Sequence, residues 1–157
     1  MTLTTLDIKE PGLNTLPPGV ERYIVEGGGL TGIQILPDDE VEIINNEGNQ
    51  ICEISAFNKD GKSELSILGL KETKDNSEIK KILFKKDETS LQALLQLKKR
   101  NLNIEKSKSS LVFDKETKAG ESIKLKSKDK CYCIIAAPGK KMVVHEQNPS
   151  TELTVMV

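Results

Sequence analysis

Leu36-Pro37-Asp38-Asp39-Glu40-Val41-Glu42-Ile43-Ile44-Asn45-Asn46-Glu47-Gly48-Asn49-Gln50-Ile51-Cys52-Glu53-Ile54-Ser55-Ala56-Phe57-Asn58 is the stretch whose pattern decides the fold. Pro37-Asp38-Asp39 is turn chemistry, and after it Val41 and Ile43 alternate with Glu42 at the two-residue period of a half-buried strand. A polar Glu-Gly-Asn-Gln corner follows, then a more apolar strand over Ile51–Phe57, closed by the turn signal Asn58-Lys59-Asp60-Gly61. Two short strands joined through a Gly-Asn corner read as a β-hairpin.

The same grammar extends outward. Residues 1–19 are rich in Pro and Gly and form a leader laid over a surface. Arg22–Glu26 is a strand broken by Gly27-Gly28-Gly29, and Thr31–Leu36 resumes with Ile33 and Ile35 on one face. The middle changes period. Ser77–Lys86 carries Ile79, Ile82 and Leu83 at helical spacing. After it, Thr89-Ser90-Leu91-Gln92 has the form of a capping box, and Leu91, Leu94, Leu95 and Leu102 continue as one apolar stripe. Acids at 87 and 88 and bases at 98–100 suit the dipole of that helix. Strands return at Ser110–Asp114, Ser122–Lys126, Lys130–Ala137, Met142–Glu146 and Glu152–Val157. The Gly120–Ile134 hairpin echoes the one over Asp38–Ile54. The expected fold is mainly β (α+β): a β-barrel or two-sheet β-sandwich with a helical insertion at about 77–102, in one β-rich domain spanning 20–157. Leu153-Thr154-Val155-Met156-Val157 reads as a core strand, so the chain is expected to be a piece of a longer polypeptide.

Composition narrows the function classes. A chain of 157 residues with 36% hydrophobic and 30% charged residues can bury an aliphatic core, since aromatics are only 3% and Trp is absent. A net charge of −1 hides an asymmetry: residues 59–130 hold 19 Lys and Arg against 12 acids, and the remainder holds 4 against 12. The lysines are mixed with acids and lack interleaved aromatics, which reads as a solvated surface, and nucleic acid is not expected as a partner. Met1–Leu6 lacks the charge and apolar run of a secretory signal, and no stretch approaches a membrane span. With three cysteines, an odd number, the expected compartment is the cytoplasm.

Few residue sets carry chemistry. Cys131-Tyr132-Cys133 puts two thiols on one face of a strand, and Cys52 and His145 would bring the count to four metal ligands. The spacing is not that of a zinc knuckle, and buried thiols in an apolar strand are the commoner case, so no metal is expected. His145 beside Glu146 has no nucleophile to serve, and no catalytic residue is assigned. Gly27-Gly28-Gly29 precedes a β-like run instead of a helix, which argues against a phosphate loop. Glu47, Asn49 and Gln50 are the candidate ligand-binding residues. Asn and Gln pair donors with acceptors, and Glu47 can meet an amine or guanidinium. Against this stands a corner that only turns the chain, with Gln50 at the start of a strand.

On Val41–Ile44, Glu47-Gly48-Asn49-Gln50 and Phe57-Asn58 the chain resembles the urea-carboxylase-associated protein family, an uncharacterised β-domain. The tail Ala136-Ala137-Pro138-Gly139, Met142 and Gln147–Val155 is similar to the N-terminal extension of aminomethyltransferases of the glycine-cleavage T-protein type. That resemblance implies a non-catalytic accessory domain of a tetrahydrofolate-dependent aminomethyltransferase-like protein of methylated-amine or glycine-derivative metabolism. Its partner would be the catalytic domain of the same polypeptide, and the folate would belong to that parent, with no cofactor in this segment. The alternative is a stand-alone enzyme or binder of the urea-associated type, holding a small amine or amino-acid-like ligand at the 47–50 corner, with or without a metal.

Overall fold

The computed structural model describes residues 20–72, 74–75, 77–84, 88–113, 116–138 and 152–157. The strands are β1 (Arg22–Val25), β2 (Leu30–Ile35), β3 (Glu40–Asn45), β4 (Cys52–Phe57), β5 (Lys74–Asp75), β6 (Lys108–Val112), β7 (Ser122–Lys126), β8 (Cys131–Ala136) and β9 (Leu153–Met156). Two helices, α1 (Ser77–Leu83) and α2 (Glu88–Lys99), interrupt them, and a 3-10 turn covers Leu65–Leu68. The expected strand Met142–Glu146 lies outside the described residues, as do His145 and the leader 1–19.

Two antiparallel sheets face each other in a sandwich. One runs β1-β9-β3-β7, and the other runs β2-β8-β4-β6, extended at its edge by the two-residue β5. This is the two-sheet form of the expected mainly β fold, with the helices inserted between β5 and β6.

The pairing corrects one expectation. β3 and β4 do not form a hairpin with each other; β3 pairs with β7 and β9, while β4 pairs with β6 and β8. The Glu47–Gln50 corner therefore carries the chain from one sheet to the other. Ser127–Lys130 does the same between β7 and β8, and Gly27–Gly29 between β1 and β2. The echo between Asp38–Ile54 and Gly120–Ile134 has a physical meaning. The two strand–corner–strand units pair with each other, β3 on β7 and β4 on β8, both antiparallel.

Alternation explains the core. Ile33, Ile35, Val41, Ile43, Cys52, Ile54, Ala56, Cys131, Cys133, Ile135, Leu153 and Val155 point between the sheets and are buried. Each such aliphatic side chain contributes roughly 1.5–3 kcal/mol on leaving water. β4 is buried on both faces, because Phe57, with Ile134 and Ala136 of β8, meets Ile79, Leu83, Leu97 and Ile104 on the outer side. The helices thus form a third layer over the second sheet.

The seat of α2 departs from the expected stripe. Leu97 is buried and Ala93, Leu94 and Leu102 pack partly against the sheet, while Leu91 and Leu95 face outward. The helix begins at Glu88, so Thr89 lies inside its first turn and is not the cap. At the other end Asn101 adopts a left-handed backbone, φ 59°, which stops the helix. Arg100 then lies over the Tyr132 ring, 4.3 Å from its centroid, and the Tyr132 hydroxyl covers Gly32 so closely that a Cβ there would sit 2.2 Å from it. Glycine on β2, tyrosine on β8 and arginine after α2 make one stack that fixes the helix end to the sheet.

Gly48 at the inter-sheet corner has φ 78°, and a Cβ would come within 2.7 Å of both Ala119 N and Thr117 O. Both the dihedral and the backbone contact oppose any side chain. Gly48→Ala is therefore expected to lower the free energy of unfolding by about 2 kcal/mol or more, read from the urea midpoint, whereas Gly69→Ala, with open space around it, should cost less.

Candidate functional site

The corner that joins β3 to β4 holds the residues singled out in the sequence, and it separates them. Gln50 is fully buried, and its Nε2 donates to the carbonyls of Ile51 at 2.8 Å and Pro138 at 2.9 Å. Asn45, also fully buried, donates from Nδ2 to the Gln50 carbonyl at 2.8 Å. Asn46 exchanges hydrogen bonds with the Thr154 hydroxyl on β9 at 2.8 and 3.0 Å. Glu47 and Asn49 point to solvent. Asn49 has φ 60°, and its backbone N–H donates to Thr117 O at 2.8 Å. Gln50 is thus a strut inside the sandwich end, tied to main chain, while Glu47 and Asn49 sit on the outer surface of the same turn. The described residues bring the three together in sequence and along the backbone, without converging their side chains on one cavity.

A second polar feature was hidden in the sequence by its strand pattern. Glu53, the second residue of β4, is fully buried on the outer face, and its Oε1 accepts from the Ser109 hydroxyl at 2.8 Å. Ser55, two residues on, donates to Lys108 O at 2.8 Å. An acidic residue at an alternating position normally reads as solvent-facing. The helical layer over this sheet reverses that, and the signal available was the helical insertion itself.

The three thiols lie inside the sandwich. Cys52, Cys131 and Cys133 are all free and buried. Burial pushes the Cys52 and Cys133 thiols far up, aided at Cys52 by the Glu53 charge and at Cys133 by the neighbouring cysteines. Cys131 is also raised by burial, against a lowering contact from the Ser127 hydroxyl. Protonated thiols in an apolar core are poor ligands and poor nucleophiles. Among the described residues no group of three or more His, Cys, Asp or Glu is placed to hold a metal ion.

A concavity lies at the same end of the sheets, where β1 and β3 finish and β8 runs on into Ala137 and Pro138. A groove of about 320 Å³ runs between the Gly27–Gly29 turn and the helices. Ile24, Leu30, Ile82 and Ala93 make its apolar walls, and Glu26 and Ser90 its polar points. The glycine turn leads into β2, and Gly28 N and Gly29 O both bond to Ala137, so it is a sheet-to-sheet corner instead of a phosphate loop. No helix among the described residues is long and apolar enough to cross a membrane.

No family model matches the sequence. The chain is 32% identical over 151 residues to trimethylamine-oxide aldolase of Ruegeria pomeroyi (strain ATCC 700808 / DSM 15171 / DSS-3). The match takes in 96% of this chain and 19% of that protein. The chain spans about a fifth of the curated relative.

Two outcomes follow from the geometry. Gln50→Ala should cost about 1–3 kcal/mol of stability by stranding buried carbonyls, while Glu47→Ala, at an exposed position, should stay within about 0.5 kcal/mol, both measured by urea unfolding. All three thiols also titrate higher folded than unfolded, so the unfolded chain releases its protons first as pH rises. Stability should accordingly be intact below the ordinary thiol value of 9.0 and fall above it. Cys52→Val should make the decline in urea midpoint between pH 8 and pH 10 (both about) shallower.

Proposed function

We propose that this chain is a non-catalytic β-sandwich module of a larger, aminomethyltransferase-like enzyme that handles methylated amines. The observation that supports this most is the asymmetry of the match. Nearly the whole chain aligns with only a fifth of a protein whose name states that it acts on trimethylamine oxide. A segment of that size within a longer enzyme is the length of one module. The polar groups of the corner are engaged in holding the two sheets together, and the thiols are kept protonated in the core, which fits a structural and positioning role.

Tetrahydrofolate, which the resemblance to aminomethyltransferases implies for the parent protein, does not fit the groove beside Gly28. The groove beside Gly28 is lined by one carboxylate, Glu26, and by no basic residue that would meet the anionic tail of a folate. We place the folate in the remaining part of the parent polypeptide, a reading that the lack of a basic residue in this groove's lining supports. The module would act by packing against the catalytic part and shaping access to it.

The test is the intact mass of the native polypeptide that carries this sequence in its own cells, together with assay of the 157-residue chain. The expected result is a mass far above 17.3 kDa and no consumption of trimethylamine oxide by the chain alone. A native mass near 17.3 kDa, or turnover by the isolated chain, would overturn the proposal.

A further inference from the structure

α2 carries more apolar surface than its seat covers. At 100° per residue, Ala93, Leu97, Ser90 and Leu94 fall on one side and meet the sheet, and Leu91 and Leu95 continue that sector around the helix. Leu91 is 50% exposed and Leu95 is 59% exposed. A surface leucine taken singly carries no information, since much of any protein surface is apolar. Here two leucines one turn apart prolong a buried face, and Phe84, just beyond the end of α1, is 43% exposed as well. Lys98 and Lys99 stand one turn beyond Leu95, both exposed, and they give the strip a basic end.

Building on the reading of the chain as a module of a longer polypeptide, we infer that the Leu91–Leu95 face of α2 is where the module docks on the remainder of that polypeptide. The surface it meets is apolar, with a carboxylate placed opposite Lys98 and Lys99. Two observations select this occupant. The aligned relative extends far beyond the 19% that corresponds to this chain, so such a module has a large covalently linked neighbour. The strip is also apolar along its length and cationic at its end, where the helix C-terminus itself favours bases, so an apolar surface with an acid at that end is its complement. Tethering raises the local concentration of the two surfaces, and a strip this small suffices for a linked partner where it would not for a free one. The groove beside Gly28 lies on the Ala93 flank of α2, on the other side of the helix from Leu95, and is left open by this arrangement.

The experiment uses the native polypeptide with Leu95→Cys, and separately Leu91→Cys, labelled with a small maleimide near neutral pH and read peptide by peptide. Native Cys52, Cys131 and Cys133 are buried and protonated, so they stay silent. Leu36→Cys, at a 52% exposed position on the turn after β2, is the reference. In the intact polypeptide, labelling at 95 and 91 should be at least about tenfold slower than at 36, with all three alike after denaturation. Equal rates at 95, 91 and 36 would overturn the docking inference while a large native mass left the module reading standing. A native mass near 17.3 kDa would remove the module reading, and the inference with it. Protection that grows with protein concentration would identify a second copy as the occupant and overturn the inference in its own right.

Discussion

Everything in this fold depends on a reciprocal contact between two strand–corner–strand units. The turn that opens the first unit meets the corner of the second: Asp38 N donates to Ser127 O at 2.8 Å, and Ser127 N donates to Asp39 O at 3.0 Å. The turn that opens the second unit meets the corner of the first in the same way. Gly120 N donates to Asn45 O, and Asn45 N to Glu121 O, both at 2.8 Å. Each unit thus supplies hydrogen-bond partners for main-chain groups at the other's bends, where Asn45 and Ser127 are buried. An unpaired buried backbone group, as at Asn45 or Ser127, costs about 1–3 kcal/mol, so each corner leans on its counterpart. The exchange prolongs the β3–β7 ladder at both of its ends, and the aliphatic core fills the space between this sheet and the other.

The corner chemistry follows from that constraint. A chain that leaves one sheet for another must bend sharply and present main-chain groups sideways. Gly48 and Asn49, both in the left-handed region, make the bend, and the amides of Asn45 and Gln50 take up the carbonyls it exposes. Residues chosen for paired donors and acceptors therefore serve the backbone of their own protein, with Glu47 and Asn49 left on the outside.

Much of the fold was legible in the sequence, and the parts that were not share one cause. Alternation at Val41-Glu42-Ile43 and Ser122-Ile123-Lys124-Leu125 located β3 and β7, and the helical spacing of Leu91, Leu94 and Leu95 located α2 though not its buried face, because each reflects a local period. The partner of each strand was not local. Gly48-Asn49 is the usual signature of a hairpin, yet it also suits a corner between sheets, and only the pairing of β3 with β7 distinguishes them. The burial of Glu53 and Ser55 was not legible, because the layer that covers them lies more than twenty residues away. At the candidate site the same limit applied. Residue types gave the hydrogen-bonding capacity of Gln50, but the direction of its side chain is set by Pro138, a residue 88 positions on.

The position of β9 bears on how the chain reaches this state. β9 lies between β1 and β3, and it is the strand to which β1 is paired, Arg22 opposite Met156 and Val25 opposite Leu153. Within this sheet, β1 is joined through a contact that spans nearly the whole chain, so loop closure over that distance precedes any reward from pairing. As the polypeptide emerges from the ribosome, the early strands have the β3–β7 and β4–β8 pairs to settle into, while β1 and the free edge of β3 wait for residues 153–156. During that interval the molecule exposes an unpaired apolar strand edge, the kind of surface on which chains join one another instead of themselves. The order of strands in the sheet thus makes residues 153–156 the stretch whose arrival completes this sheet and ends the period of aggregation risk.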